Sequence, residues 1–438
     1  RLPVTAADHP VRLALLRDDV EVLCWSRPVT EVTRATEDGV QVGPIEVRTS
    51  RFLSPGAYQV ALGWPHTRYG EEGIVIGRLQ VRAPVTPETH PVVALEQHNG
   101  VPTLMLDGKP NPFMHYVELR VGAGRITNMA NAGVHIYFLD AEDIGWKAAG
   151  SFDYSAWDAK ILRLLHLDPD ALVIPQFTVD GRHQQWWLPE HPEELTRTES
   201  GSTQVGVYHV EGEVISLASH LWRQEAGEAV RRFVQHCWGA AYGSRVLGFL
   251  VASGVSWEWQ HWGSVGEHEP TDYSAPMQEE FRKWVRREYA DDEQALRAAW
   301  RMPEVSFDTV AIPSVAERDA ADHLLFRDPR SSRYVIDFYR FFQDVMADGI
   351  LHYFGIVKEA TRGEALAGTY YGYVVTMLGG ARRAGDSGHM ALSRVIASDL
   401  CDFLLSPFDY SQRAVGEPTT IMSATGSVLA HGKLWGME

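Results

Sequence analysis

The sequence of 438 residues is long enough for two or three domains, and its 45% hydrophobic content can form a sizeable core. A formal net charge of −17 argues against general binding to nucleic acid or anionic membranes, and no run of 18 apolar residues could span a bilayer. Three widely spaced cysteines, Cys24, Cys237 and Cys401, argue against a disulfide framework or a zinc site.

Residues 1–82 carry short β-branched runs separated by turn signals, with no convincing helical period. The runs lie at residues 20–25, 45–48 and 74–81. This pattern predicts a small β-sandwich domain. Residues 83–91 contain three prolines in nine residues, so we interpret them as a linker.

Residues 92–106 are two apolar segments around Asn99-Gly100, which is the strongest short signal for a β-hairpin. Beyond residue 112, short apolar runs alternate with amphipathic helical segments, as in parallel strands joined by helical crossovers. The predicted strands lie at about residues 112–117, 134–140, 172–178, 246–253, 365–371, 401–407 and 434–438.

Three of the intervening helices have clear apolar stripes. Ser219 is a predicted N-cap for a helix whose stripe runs from Trp222 to Cys237. Two further stripes predict helices near residues 276–289 and 333–359. The long loops after the third and fourth strands are typical places for a functional site.

Seven βα repeats leave two architectures, an open doubly wound sheet or an eight-stranded barrel without its last strand. No glycine-rich phosphate loop follows the first strand, which weakens the nucleotide-binding sheet. We therefore predict an α/β fold, a (β/α)₈ TIM-type barrel over residues 92–438. Because a barrel without its eighth strand exposes two edges, we expect the sequence to be C-terminally incomplete, and we leave open whether such a fragment is active.

Catalytic residues of such barrels lie at the carboxyl ends of the strands. Glu258 follows the fourth strand between Trp257 and Trp259, where an apolar setting would raise the pKa of a carboxyl group. That property suits a general acid. Glu438 ends the seventh strand, roughly across the barrel, so the two carboxylates could flank a glycosidic bond.

The region from about residue 92 to 438 resembles the clan A retaining glycoside hydrolases, particularly the family 42 β-galactosidase-like group. The similar stretches, in matching order, are residues 276–284, 298–300, 370–373, 388–392, 402–407 and 431–433. The resemblance implies that Glu258 is the acid/base and Glu438 the nucleophile. It also implies retaining hydrolysis of a β-glycoside without a cofactor.

The clan usually has asparagine immediately before the acid/base, where it contacts the sugar 2-hydroxyl. Trp257 occupies that position here, so galactose is not assumed. The other candidates for contact with sugar lie at or near strand ends. With Trp257, the predicted substrate-binding residues are Tyr116, Gln176, Trp262, Tyr371, Tyr373 and Trp435.

Three alternatives stay open at this point. A barrel that binds carbohydrate, or serves as a scaffold, without turnover would have the same pattern. A metal-dependent hydrolase is disfavoured because Asp180 and His183 have no third ligand beside them, and a serine hydrolase because no GxSxG elbow surrounds Ser253 or Ser256. The expected ligand is a carbohydrate, with no metal.

Neither the compartment nor the oligomeric state follows from the sequence. No secretory leader is visible, but the sequence begins at Arg1, so cytoplasmic and secreted locations both stay open. A homo-oligomer also stays open.

Overall fold

The computed structural model describes residues 10–17, 20–28, 33–36, 39–42, 52–53, 55–63, 74–82, 89–118, 120–265, 268–320, 327–375, 384–408, 410, 414–416 and 420–438. Most of the predicted linker, residues 83–88, lies outside this described part. The boundary predicted at residue 82 therefore stays a prediction.

The amino-terminal region is antiparallel β structure, as expected. Its strands are β1 (Pro10–Arg17), β2 (Val20–Pro28), β3 (Thr33–Thr36), β4 (Gly39–Val42), β5 (Gly56–Gly63) and β6 (Ile74–Val81). Four of them form a sheet in the order β2-β1-β5-β6, and β3 pairs with β4 as a separate hairpin. Trp25 of β2 packs edge-on against His166, with ring centroids 5.8 Å apart. These small sheets fit a β-sandwich-like domain.

The predicted hairpin follows as β7 (Val93–His98) and β8 (Val101–Leu106), and β9 (Lys109–Asn111) adds a third strand. Asn99 and Gly100 have φ angles of 53° and 80°, the left-handed pair that a tight primed turn requires. The hairpin prediction is confirmed.

Seven parallel strands form the main sheet, and each overlaps a predicted strand. They are β10 (His115–Glu118), β11 (Ile136–Asp140), β14 (Leu172–Thr178), β17 (Gly248–Gly254), β19 (Leu366–Tyr370), β20 (Phe403–Ser406) and β21 (Leu434–Met437). Neighbours pair in that order, with Asp140 opposite Gln176 and Gln176 opposite Leu250. Shorter strands lie in the connections: β12 (Trp146–Ala148), β13 (Ser151–Phe152), β15 (Val205–Val207), β16 (Val210–Gly212) and β18 (Glu258–Gln260).

Helices cover the outside of this sheet. They are α1 (Ala123–Asn131), α2 (Ser155–Leu167), α3 (His220–Gly239), α4 (Ala275–Glu288), α5 (Glu293–Trp300), α6 (Val315–Asp319), α7 (Pro329–Ala360), α8 (Leu392–Ile396) and α9 (Thr425–Ala430). Ser219 caps α3 as predicted, accepting a hydrogen bond from the Trp222 amide at 3.0 Å. The other two predicted helices correspond to α4 and α7. None of the described helices is both long and apolar enough to cross a membrane.

Side chains alternate between two faces of the parallel strands. One face packs against the helices, and the other lines the lumen of the barrel. The lower lumen, towards the amino ends of the strands, is an apolar cluster to which hairpin β7–β8 contributes Leu104. Phe138 and Phe403 meet there edge to face, with centroids 5.6 Å apart. The hairpin therefore closes the amino-terminal end of the lumen.

The first and last parallel strands of the described region are connected by a side chain. Nε2 of His115 on β10 lies 2.8 Å from the carbonyl oxygen of Met437 on β21. Seven parallel strands with helical crossovers confirm the predicted (β/α)₈-type barrel, and the described residues contain no eighth strand of it. The carboxyl ends of all seven strands form one rim, which we call the mouth.

Candidate active site

The loop after β17 has an unusual backbone. Gly254 has a φ angle of 70°, and the non-glycine residues Ser256, Trp257 and Trp259 also have positive φ angles of 57°, 68° and 54°. Such conformations cost free energy in non-glycine residues and persist only where neighbouring contacts hold them. One such contact is a hydrogen bond from Trp259 Nε1 to the carbonyl oxygen of Val251, 2.9 Å long. This loop presents Glu258 at the mouth.

The Glu258 carboxyl group is mostly surrounded by protein. Its Oε2 accepts a hydrogen bond from Gln260 Nε2 at 2.8 Å, and the Tyr373 side chain lies close enough to lower its pKa. Burial raises the pKa of Glu258 to about 8, and the negative charge of Glu438 adds to the rise, while Gln260 and Tyr373 oppose it. Glu258 therefore carries its proton at neutral pH.

Glu438 directly follows β21 and is exposed. Its amide donates to the carbonyl oxygen of Ser406 at 3.3 Å, continuing the parallel pairing of β20 with β21. Leu434 lies in the lumen cluster, and the alternation of the strand puts Gly436 and Glu438 on the same face. Glu258 and Glu438 each follow a strand of the same parallel sheet, β17 and β21, and the charge of Glu438 raises the pKa of Glu258.

Other polar groups at the mouth come from the neighbouring strands. Tyr370 donates its hydroxyl to Gln176 Oε1 at 2.9 Å, and the charges of Glu438, Glu258 and Asp140 all raise the pKa of Tyr370, after burial as the largest cause. Burial raises the pKa of Asp140 as well. These three strand ends, β11, β14 and β19, therefore turn polar side chains towards the same space as the two glutamates.

Two buried donors on β14 have no hydrogen-bond partner among the described residues. Gln176 Nε2 and Thr178 Oγ1 make no hydrogen bond within the described residues, although Gln176 is 2% exposed and Thr178 is 7% exposed. A buried polar group without a partner is costly. Because both side chains share the lumen face of β14, they are suited to contact a polar ligand.

Four of the predicted substrate-binding residues lie elsewhere. Tyr116 and Trp435 pack against the outer cluster between strands and helices, with Trp435 Nε1 bonded to Ser406 Oγ at 3.1 Å. Tyr371 is buried on the same outer side and donates its hydroxyl to the carbonyl oxygen of Gly388 at 2.7 Å. Trp262 is 2% exposed within the outer cluster. These positions do not support contact with sugar, so we leave all four out of the proposed site.

The other three predicted substrate-binding residues lie in or beside the lumen. Trp257 is partly exposed and packs on the lumen cluster, to which Tyr373 also belongs, and Gln176 lies at the mouth. Sequence reasoning missed Tyr370, Gln260 and His389. Tyr370 could have been found by counting alternate residues of its strand. His389 lies in the family-like stretch 388–392, which gave it no individual role, and no sequence pattern points to Gln260.

Asp180, considered above with His183 as a possible metal ligand, has a different partner in the structure. Asp180 forms an ion pair with Arg182 at 2.8 Å, and Arg182 also donates to the carbonyl oxygen of Gly254 at 2.7 Å. Across the residues that the structure describes, no group of three or more His, Cys, Asp or Glu side chains could hold a metal ion. Asp180 thus supports the base of the Glu258 loop.

The family model for the β-galactosidases of glycoside hydrolase family 42 matches residues 125–384, which is more than half of the chain. The chain belongs to glycoside hydrolase family 42. The matched residues include Glu258 and end before Glu438. The resemblance inferred from the sequence motifs is confirmed, and the family is one of glycosidases. No curated protein matches the chain.

One solved structure shows a similar fold, and two β-galactosidases match part of the chain more distantly. The catalytic domain of β-amylase from Paenibacillus polymyxa is 16% identical, with a TM-score of 0.55 over 74% of this chain and 84% of that one. A β-galactosidase from Marinomonas ef1 is 17% identical, with a TM-score of 0.45 over 67% of this chain and 40% of that one. A family 42 β-galactosidase from G. stearothermophilus is 16% identical, with a TM-score of 0.40 over 56% and 32% of the respective chains. The chain therefore spans less than half of these two galactosidases.

Proposed function

We propose that the protein hydrolyses β-linked glycosides with retention of anomeric configuration, using Glu258 as acid/base and Glu438 as nucleophile. The observation that carries the proposal is the state of Glu258. It is a largely enclosed, half-buried carboxyl at the mouth, and desolvation and the charge of Glu438 raise its pKa to about 8. One protonated and one ionised carboxylate at the same site are what acid-assisted glycosyl transfer requires.

The first step would form a covalent intermediate. The Glu438 carboxylate attacks the anomeric carbon while Glu258 donates its proton to the glycosidic oxygen, so the alcohol leaves as the glycosyl ester forms. In the second step the Glu258 carboxylate takes a proton from water, and that water attacks the anomeric carbon. Glu438 is released as a carboxylate, and Glu258 is protonated again.

The substrate contacts in this proposal come from the lumen face. Gln176 Nε2 and Thr178 Oγ1 are buried donors without partners among the described residues, and both could bond sugar hydroxyls. Trp257 and Tyr373 supply aromatic surface beside Glu258. Membership in family 42 makes β-galactosides the first substrates to test, and Trp257 beside the acid/base leaves the sugar to be determined.

The experiment compares the full chain with its Glu258→Gln and Glu438→Gln variants on a panel of nitrophenyl β-glycosides. We expect release of nitrophenol by the wild type and large losses in both variants. Glu359→Gln is a matched control, because Glu359 pairs with Arg231 on the helical surface. Proton NMR of the first sugar anomer released tests the stereochemistry: the β anomer supports retention, and the α anomer contradicts it. Sugar binding without turnover would favour a non-catalytic carbohydrate-binding barrel.

A further inference from the structure

We propose that His389 is a positioning residue that couples the backbone of the acid/base loop to the backbone that carries Tyr373. The proposal rests on the proposed function, because it assigns to His389 a role in placing Glu258. His389 does not face the proposed substrate space. It is fully buried behind the mouth, in the segment that follows residues 376–383 along the chain.

The hydrogen bonds of His389 define its tautomer. Nδ1 accepts from two backbone amides, those of Gly372 at 3.1 Å and Tyr373 at 3.0 Å. An acceptor nitrogen carries no proton, so the ring proton of the neutral imidazole is on Nε2. Nε2 lies 2.7 Å from the carbonyl oxygen of Glu258 and donates to it. One imidazole thus joins the two loops that meet at the Glu258 carboxyl.

A protonated His389 would break this arrangement, because it would direct an N–H at two backbone amides. Burial lowers the pKa of His389 to about 4, so the ring is neutral over the neutral pH range. The bridge is therefore permanent under ordinary conditions rather than a switch.

The ring itself is held firmly. It stacks on Tyr371 and packs at a tilt on Tyr373, with centroids 4.8 Å away in both cases. Gln343 of α7 accepts a hydrogen bond from the Met390 amide at 2.9 Å. Asp386 forms a buried ion pair with Arg318 at 2.7 Å. His389 is thus anchored on both sides in the chain.

Gly388 allows this segment to come close to the strained loop. Its φ angle is 87°, and a Cβ atom there would lie 3.0 Å from the carbonyl oxygen of Trp259 and 2.7 Å from Met346. Any larger residue would push the segment away. The close approach brings His389 within hydrogen-bonding distance of Glu258.

The coupling has a chemical consequence at the carboxyl group. Glu258 has positive φ angles on both sides of it, at Trp257 and Trp259, so its carbonyl needs an external contact to keep its direction. The same imidazole fixes the amide of Tyr373, whose side chain lowers the pKa of the Glu258 carboxyl. Without His389, we expect the Tyr373 hydroxyl and the Glu258 carboxyl to separate.

Two substitutions separate the two ends of the bridge. The amide of His389→Asn lies near the former Nδ1 and keeps an acceptor for the two backbone amides. The amide of His389→Gln lies near the former Nε2 and keeps a donor for the Glu258 carbonyl. Since coupling needs both ends, we expect each variant to lose roughly tenfold in kcat/KM on glycosides with poor leaving groups. Dinitrophenyl glycosides need little acid assistance. On these substrates kcat/KM of the two variants should fall less than about threefold.

The pH profile provides the readout that a purely structural role would not move. The groups that act on the Glu258 carboxyl are Glu438, Gln260 and Tyr373, and Tyr373 lowers its pKa. Loss of the Tyr373 contact should therefore move the basic limb of kcat/KM upward by roughly half a pH unit, as Tyr373→Phe should by itself. In a protein that already contains Tyr373→Phe, adding His389→Asn should shift the basic limb of the kcat/KM profile little further.

A control separates this role from loss of stability. His236→Asn also removes a histidine hydrogen bond, to Asp158 on the helical side, and should leave the limb in place. The proposal would be overturned if the basic limb of kcat/KM stayed in place or moved downward in His389→Asn. It would also be overturned if the shifts from His389→Asn and Tyr373→Phe were additive. If the wild type has no glycosidase activity, the proposed function fails by itself. A carbon-13 NMR titration of Glu258 in wild type and His389→Asn still tests the coupling, and equal pKa values would refute it.

Discussion

The two ends of the barrel lumen are made by the same strands and differ sharply in chemistry. At the amino ends, Phe138, Phe403 and Leu104 form an apolar floor, and the ring of His115 packs edge-on against Phe138 with centroids 4.9 Å apart. Further along the same faces, towards the mouth, Asp140 ends β11 and Gln176 lies opposite it on β14. The floor is closed by packing, whereas the mouth contains polar groups that lack partners or have raised pKa values.

The difference shows what each end contributes. Apolar side chains at the floor bury area and stabilise the fold at about 25 cal/mol per Å². The mouth costs stability, because Glu258 is kept protonated above its ordinary pKa and Gln176 Nε2 is buried without a partner in the described region. Natural proteins keep such costs where activity needs them. Substitutions at the mouth should therefore reduce activity more than stability, and substitutions at the floor should reduce stability more than activity.

The largest expected effect is at the mouth. Glu258→Gln removes the proposed proton donor, so kcat on glycosides with poor leaving groups should fall roughly 10²- to 10⁴-fold. Steady-state kinetics on an alkyl β-glycoside checks this. If the variant kept more than a tenth of the wild-type kcat, the mouth would not differ from the floor in the way proposed.

At the floor, Phe138→Ala should cost roughly 3–5 kcal/mol in the free energy of unfolding, because it leaves a cavity among packed aromatic rings. Urea denaturation followed by tryptophan fluorescence measures the loss. Activity per folded molecule should remain, with kcat within about twofold of wild type. If fully folded Phe138→Ala showed a large fall in kcat, the floor would affect activity as well as stability, contrary to the proposed difference between the two ends.

Glu258→Gln should also change stability with pH. A carboxyl whose pKa is raised on folding is penalised as pH rises from its unfolded value, about 4.3, to its folded value, about 8. The variant should thus be more stable than wild type at pH 9 by on the order of 2 kcal/mol, and equal to it at pH 4. Thermal or urea unfolding at the two pH values measures this difference. Equal stability at pH 9 would argue against a raised pKa.

The smallest expected effect concerns substrate binding at the mouth. Gln176→Met keeps the size of the side chain and removes its donor, so KM should rise roughly fivefold with kcat nearly unchanged. Tyr116→Phe is the matched control on the outer face, and its KM should equal that of wild type. Similar KM values for wild type and Gln176→Met would remove Gln176 from the proposed sugar contacts.

Much of the fold could be predicted from the sequence, because its strands are continuous apolar runs and its helices have clear stripes. Val173 and Ile174 in one strand, and Phe233 in a helix, lie in long patterns that only one element type satisfies. The Asn99-Gly100 turn requires left-handed backbone at both residues, so it too was readable.

The site was less predictable, because proximity to a strand end does not decide which face a side chain occupies. Tyr371 was predicted at the sugar site, but its neighbour Tyr370 lies in the lumen, since one residue changes the face. His389 was missed because its partners, Glu258 and Tyr373, are brought to it only by tertiary folding. Glu258 could be proposed from the sequence because its tryptophan neighbours are adjacent to it in the chain.

The most direct test of the central claim is the pH dependence of kcat/KM for an aryl β-glycoside, measured for wild type and Glu258→Gln. The account predicts that wild-type activity falls as pH rises through about 8, where Glu258 loses its proton, and that this basic limb is absent in the variant. If the basic limb of the wild-type profile were also present, unchanged, in Glu258→Gln, the assignment of Glu258 as the acid would be contradicted.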